Sequence, residues 1–277
     1  MDYLVPADVA AALEMRAAGC AVLAGGTDLY PQHVGRPLMQ PVIDIGGLSG
    51  LRGVQESADA YRIGALTRWA DLAAVALPRC FDGLRAAAIE VGSVQVQNSG
   101  TVGGNLCNAS PAADGIPPLL SLDASVELTS VAGSRVLPLE TFLIGYRQTA
   151  LRPDELLTAV LVPRGMEDAR SAFLKLGLRR YLVISVVMVA VVVVVDPDGL
   201  ITVARVAVGA CSPVAQRLRS LESQLVGRSP DEVDTAEIAE HLSSLRPIDD
   251  VRATAGYRRE AASVLVRRAL VSCGGYR

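Results

Sequence analysis

Between Leu182 and Val195 the chain reads LVISVVMVAVVVVV, fourteen residues without a charge. Valine branches at Cβ, which stiffens its side chain and favours the pleated backbone of a strand over a helix. The run also falls short of the roughly 20 apolar residues that a bilayer-spanning helix needs. A buried strand is therefore expected here, and no membrane span. The whole apolar stretch from Phe173 to Val195 is followed by Asp196-Pro197-Asp198-Gly199, a turn sequence, and by a second apolar stretch from Leu200 to Gly209. That order predicts a β-hairpin. Helical spacing follows over Ala215–Val226, Ala236–Leu245 and Val251–Val271, so the C-terminal part reads as a small sheet backed by helices.

The first half has a different texture. Val9–Ala18 is alanine-rich with apolar residues at helical spacing and stops at Gly19. Short apolar strands are expected at Ala21–Ala24, Pro41–Ile45 and Ala60–Leu66, helices at Trp69–Ala76 and Leu84–Val91, and a hairpin pairing Ser125–Thr129 with Ser134–Leu137 around Gly133. Leu156–Val162 reads as a strand that Pro163 ends. Charge and glycine interrupt the apolar pattern near Arg164–Asp168. The division expected is 1–165, with subdomains of about 1–55 and 56–165, followed by 169–277.

Bulk properties exclude several functions. With Lys+Arg 26 against Asp+Glu 29 the formal charge is −3, so no basic surplus exists to neutralise a nucleic-acid backbone. The N-terminus, MDYLVPADVA, has no basic region before an apolar stretch and does not read as a signal peptide, which makes a cytoplasmic location the expectation. Five cysteines, at 20, 80, 107, 211 and 273, lie far apart with no C-x-x-C. Neither a metal site nor an iron–sulfur site in this chain is expected. His33 and His241 are the only histidines, and neither stands near a nucleophile signature.

Two glycine segments carry what chemistry the residues show. They are Ala24-Gly25-Gly26-Thr27-Asp28-Leu29 and Gly100-Thr101-Val102-Gly103-Gly104-Asn105. Glycine lets successive N–H groups converge on phosphate oxygens without a Cβ in the way, and Thr27 and Thr101 add hydroxyls. Two such loops can grip the two phosphates of a dinucleotide. Neither is a G-x-G-x-x-G or a P-loop, and a Gly-Gly pair taken alone is more often a tight turn than a ligand cradle, although two such loops together weaken that reading. Asp114, nine positions after Asn105, either accepts hydrogen bonds from a ribose diol or organises the turn before Pro117-Pro118.

At these residues a family resemblance appears. AGGTDL, GTVGGNLCNASPAADGIPPLLSLDA and PIDDVRATAGYRREAASVLVRRAL, in that order over nearly the whole chain, resemble the medium, FAD-binding subunit of the xanthine dehydrogenase and carbon monoxide dehydrogenase family, the molybdenum hydroxylases. The resemblance implies an α+β fold: a PCMH/VAO-type FAD-binding domain of two α/β subdomains, then a smaller C-terminal domain with an antiparallel sheet and helices. It places FAD contacts on Ala24, Gly25, Gly26, Thr27, Asp28 and Leu29, on Thr101, Val102, Gly103, Gly104 and Asn105, on Asp114, and on Leu157 and Lys175. One departure is Gln95-Val96-Gln97-Asn98, where the family often reads Q-I-R-N, which removes a positive charge near the cofactor.

The resemblance further implies an oxidoreductase subunit with FAD and no catalytic side chain. Molybdopterin and two [2Fe-2S] clusters would reside on a large and a small partner subunit, assembled as a dimer of heterotrimers. Electrons would enter from the [2Fe-2S] subunit and leave to an external acceptor. Two other readings remain open on the residues alone: a self-sufficient PCMH flavoprotein, and an interaction subunit without a cofactor.

Overall fold

The computed structural model describes residues 2–179 and 182–274. The chain starts with β1 (Tyr3–Leu4), a helix over Val9–Ala17, β2 (Ala21–Leu23) and β3 (Val42–Asp44). The helix begins where the Asp8 carboxylate accepts the N–H of Ala11 at 2.8 Å and stops at Gly19, whose φ is +90°. The three strands form a parallel sheet in the order β1-β3-β2. Ala12, Leu13, Ile43 and Ile45 fill the space between sheet and helix.

A second sheet follows. Its strands are β4 (Val54–Glu56), β5 (Ala60–Gly64), β6 (Ser125–Ser130) and β7 (Gly133–Pro138), and, after the short paired strands β8 (Leu143–Gly145) and β9 (Gln148–Thr149), β10 (Leu156–Pro163). The order is β4-β5-β10-β6-β7, antiparallel throughout. Between β5 and β6 the chain makes helices at Trp69–Ala74, Asp82–Glu90, Val94–Ser99, Val102–Asn108 and Ile116–Ser121. Trp69, fully buried, anchors them against the sheet.

The last sheet is antiparallel, β11 (Arg170–Leu176), β12 (Val187–Val195), β13 (Ile201–Gly209) and β14 (Gln216–Arg217) in sequence order. Both of its faces are covered. Val187, Val189, Val191 and Val193 of β12 meet the long helix Ala255–Gly274, while Met188, Ala190 and Val192 face the helices of the first part. This explains why the run is apolar at every position and not at alternate ones. Burying one such side chain contributes roughly 1.5–3 kcal/mol.

The hairpin expected at Asp196–Gly199 is present, pairing Val194 with Val203. Several boundaries differ from expectation. The stretch Phe173–Val195 is two strands, and Leu182–Val186 precedes β12 without joining it; Arg180 and Tyr181 lie outside the described residues. The helix expected from Ala215 starts at Arg219, because Gln216 and Arg217 pair with Val208 and Ala207. The last helix starts at Ala255 and not at Val251, because Asp250 first folds the chain into a turn, accepting the N–H groups of Arg252 and Ala253. Among the described residues no helix is long and apolar enough to cross a membrane.

Candidate functional site

A cleft of about 630 Å³ runs between the parallel sheet and the helices that follow β5. That volume is within the range of small-molecule and cofactor sites. Both glycine segments line it: Ala24 to Leu29 from the end of β2, and Thr101, Gly103, Gly104 and Asn105 from the start of the helix Val102–Asn108, with Leu157 of β10 beside them. The two segments touch. A Cβ on Gly25 would stand 2.1 Å from the carbonyl oxygen of Ser99, so only glycine permits this approach of the first segment to the second.

The segments offer different things to a ligand. Among the described residues, the N–H groups of Gly25, Gly26 and Thr27 donate to no protein acceptor. Four of those in the second segment are already used. Val102 donates to Thr67 O at 2.9 Å, Gly103 to Ala65 O at 2.8 Å, Gly104 to the Thr101 hydroxyl at 3.1 Å and Asn105 to Thr101 O at 3.0 Å. The second segment is therefore a capped helix start and not an open loop, which corrects the expectation of two equivalent N–H cradles. Its contribution is a flat wall. Gly104 is exposed to the cleft, and a Cβ there would meet only the Thr101 hydroxyl, at 2.9 Å. Val102 is fully buried and turns into the core.

Among the described residues, one buried polar atom in the cleft wall lacks a partner: Oδ1 of Asn105. Unpaired buried acceptors are costly, of order 1–3 kcal/mol, and point to a missing hydrogen-bond donor. Positive charge comes from residues the sequence did not single out. Arg16 lines the cleft, bonds only to the carbonyls of Cys20 and Glu155, and pairs with no carboxylate among the described residues. Arg147, at the tip between β8 and β9, reaches Asp28 with both terminal nitrogens at 3.4 Å. Glu155, also in the wall, is engaged elsewhere: the Arg135 guanidinium at 2.6 Å and the Arg152 N–H hold its carboxyl below the ordinary range. The departure at Gln97 has a structural use. Its side-chain amide donates to Ile89 O and Val91 O, closing the end of the helix Asp82–Glu90.

Asp114 and Lys175 are not in the wall of this cleft. They form a buried ion pair at 2.6 Å, in which Lys175 also donates to Glu90 O and Asp114 accepts from the Ser185 hydroxyl at 2.7 Å. Burial pushes the Asp114 carboxyl up, against the pull of the Lys175 ammonium and the Ser185 hydroxyl. Of the two local readings of Asp114, a ribose acceptor or a turn residue, neither describes this bond set.

Free backbone donors, two guanidinium groups and an unpaired amide oxygen around one elongated cleft define a protein that binds an anionic, nucleotide-like cofactor between two layers of a mixed α/β domain. The chain belongs to the FAD-binding medium subunits of molybdenum hydroxylases. Residues 1–165 match the FAD binding domain in molybdopterin dehydrogenase, and residues 172–273 match the CO dehydrogenase flavoprotein C-terminal domain. The chain is 36% identical to the nicotinate dehydrogenase FAD-subunit of Eubacterium barkeri, over 78% of this chain and 75% of that one. It is 31% identical to the 6-hydroxypseudooxynicotine dehydrogenase complex subunit alpha of Paenarthrobacter nicotinovorans, over 97% and 93%. Its fold superimposes on a chain of carbon monoxide dehydrogenase from Hydrogenophaga pseudoflava with a TM-score of 0.89, at 27% identity, covering 99% and 96%.

Proposed function

We propose that this chain is the electron-transfer subunit of a cytoplasmic heterotrimeric molybdenum hydroxylase. It takes electrons from a [2Fe-2S] subunit, passes them to an external acceptor, and leaves substrate oxidation to a large molybdopterin subunit. The observation that carries the reading is the cleft, which the unengaged N–H groups of Gly25, Gly26 and Thr27 and the unpaired Asn105 Oδ1 line together with Arg16 and Arg147.

The residues fit FAD. The first glycine segment, Ala24 to Leu29, would donate backbone N–H groups to the diphosphate, with Arg16 and Arg147 supplying charge. Thr101, Gly103, Gly104 and Asn105 would form the opposite wall, with Val102 holding it to the core from behind, and Leu157 would pack on the cofactor. Asp114 and Lys175 would set the polarity at the flavin end. Bound FAD supplies reversible one- and two-electron chemistry, and the protein supplies its orientation and electrostatics. No side-chain acid, base or nucleophile is required, so none of these residues is assigned a catalytic role.

The test is purification from the native source or from co-expression with its neighbouring subunits. A dimer of heterotrimers with stoichiometric flavin, bleached when substrate is added without oxygen, is the expected result. An isolated chain that turns over a substrate by itself establishes the self-sufficient flavoprotein instead. A colourless chain that still assembles with partners establishes the interaction subunit.

A further inference from the structure

Arg147 occupies a backbone position that ordinarily favours glycine. It is the second residue of the tight turn between β8 and β9, where Gly145 pairs with Gln148, and its φ is +51°. Its N–H donates at 3.1 Å to the carbonyl of Ala109, which ends the helix Val102–Asn108 and is itself held at φ +44°. Two strained residues thus fix the point from which one side chain departs. Strain that surrounding contacts maintain beside a cleft marks a place where geometry matters to function. What it delivers here is a guanidinium.

That guanidinium reaches across the cleft. Nη1 and Nη2 stand 3.4 Å from Oδ2 and Oδ1 of Asp28, 119 residues earlier. Asp28 immediately precedes the short helix Leu29–Gln32, yet its carboxylate caps none of that helix's N–H groups. It faces Arg147 instead and accepts from the Gln32 side-chain amide. The pair therefore joins the first glycine segment to the far end of the helix that the second segment starts. Both side chains line the cleft and each is 40% exposed, which puts the pair at its mouth.

A carboxylate so close to the free N–H groups of Gly25, Gly26 and Thr27 repels a phosphate bound there. The cleft does not need one to hold a cation, since Arg16 is held by carbonyl oxygens alone. The place of Asp28 is explained if it acts on Arg147. An ion pair this exposed is worth little, so it opens and closes at small cost. We propose that Asp28 and Arg147 form a strap across the mouth of the cleft, which opens to admit the dinucleotide and closes over it. Asp28 is then a positioning residue that acts through Arg147 and sets the rate of cofactor exchange. The inference rests on the reading of the cleft as the FAD site and adds how the cofactor is retained.

The experiment uses the full chain and FAD. Association is followed by stopped-flow quenching of flavin fluorescence, and release by its recovery on dilution. Asp28→Asn is expected to speed association and release alike by about threefold to fivefold, near the top of what an exposed ion pair is worth. The Kd then changes by less than about twofold. Asp28→Glu keeps the carboxylate and is expected to restore slow exchange. Arg147→Gly relieves the left-handed backbone and removes the strap. Its FAD-free form should melt at or above the wild type while its FAD leaves faster, a divergence that a merely structural role does not produce. Tighter binding by Asp28→Asn, with slower release, overturns the proposal and leaves Asp28 as a charge that only repels phosphate. Faster release with unchanged association also overturns it, by making Asp28 a direct ligand. Unchanged exchange in Asp28→Asn, or release from Arg147→Gly as slow as from the wild type, does the same. A wild-type chain that binds no FAD sinks the reading of the cleft itself, an outcome distinct from unaltered exchange in a chain that binds it.

Discussion

Lys175, on β11 of the last sheet, sets its ammonium 2.6 Å from the carboxylate of Asp114, 61 residues earlier, with both side chains buried. The pair fastens the C-terminal sheet to the entrance of the helix Ile116–Ser121. Breaking it from one side strands a buried charge, which costs about 3–5 kcal/mol. Lys175→Met is therefore expected to be strongly destabilised in urea unfolding. The double variant Asp114→Asn with Lys175→Met should recover most of that loss. A double variant as weak as the single one contradicts a paired origin of the stability.

Gly104→Val projects a branched side chain from the exposed wall of the cleft. The expected outcome is a folded protein with little bound flavin, read as lost flavin absorbance at unchanged far-ultraviolet circular dichroism. Gly25→Ala is different in kind. Its Cβ meets the backbone of Ser99 and Gly100, so loss of soluble protein is expected and not merely loss of colour. A Gly104→Val variant that stays fully yellow removes the second segment from the cofactor site.

Asn105→Ala deletes an acceptor that has no partner within the described chain. The FAD-free variant is expected to unfold at the same temperature as the wild type or slightly above it, since a buried unsatisfied group is gone. Its affinity for FAD, titrated by quenching of flavin fluorescence, should fall by about tenfold, the value of one hydrogen bond to a ligand left unmade. Unchanged affinity places the amide oxygen away from the cofactor.

Asp250 gives a pH test. Burial opposes its charged form, but the N–H groups of Arg252 and Ala253 and the guanidinium groups of Arg252 and Arg258 outweigh it and bring its carboxyl down to about 2 from 3.8. A carboxyl lower in the folded chain contributes stability that is whole above the unfolded value, near 3.8, and fades as pH falls toward about 2. Asp250→Asn should melt below the wild type at neutral pH, and the two melting curves should converge as the pH approaches 2. A constant difference across that interval would exclude linkage at this group.

Part of this architecture is legible in the sequence for plain reasons. The valines from Val187 to Val195 specify a strand, and Asp196 to Gly199 specify its return, because turn chemistry and β-branching are local properties. The break before β12 is not legible: Leu178, Leu182 and Ile184 look like core residues yet are exposed. The helix at Val102 hides behind Gly103-Gly104, poor helix formers, and is started by the Thr101 hydroxyl and by carbonyls of Ala65 and Thr67 that arrive from another segment. The free N–H groups of the first glycine segment are legible, since Gly25 and Gly26 carry no Cβ to cover the backbone. Arg16 and Arg147 are not, because only the folded chain brings a helix end and a hairpin tip to the same cleft. The Asp114–Lys175 bond is long-range and leaves no local mark.

The covering of β12 on both sides also bears on how the chain loses its structure. The family boundary falls between residues 165 and 172, but Val192, Ala207 and Ala215 belong to the apolar core built around Trp69 and Phe81. A chain cut at the boundary would expose Met188, Ala190, Val192 and Ala207 on one fragment and the helices that cover them on the other. Because the two parts share that core, they are expected to melt together in a single transition on heating, and neither is expected to stay folded when separated from the other.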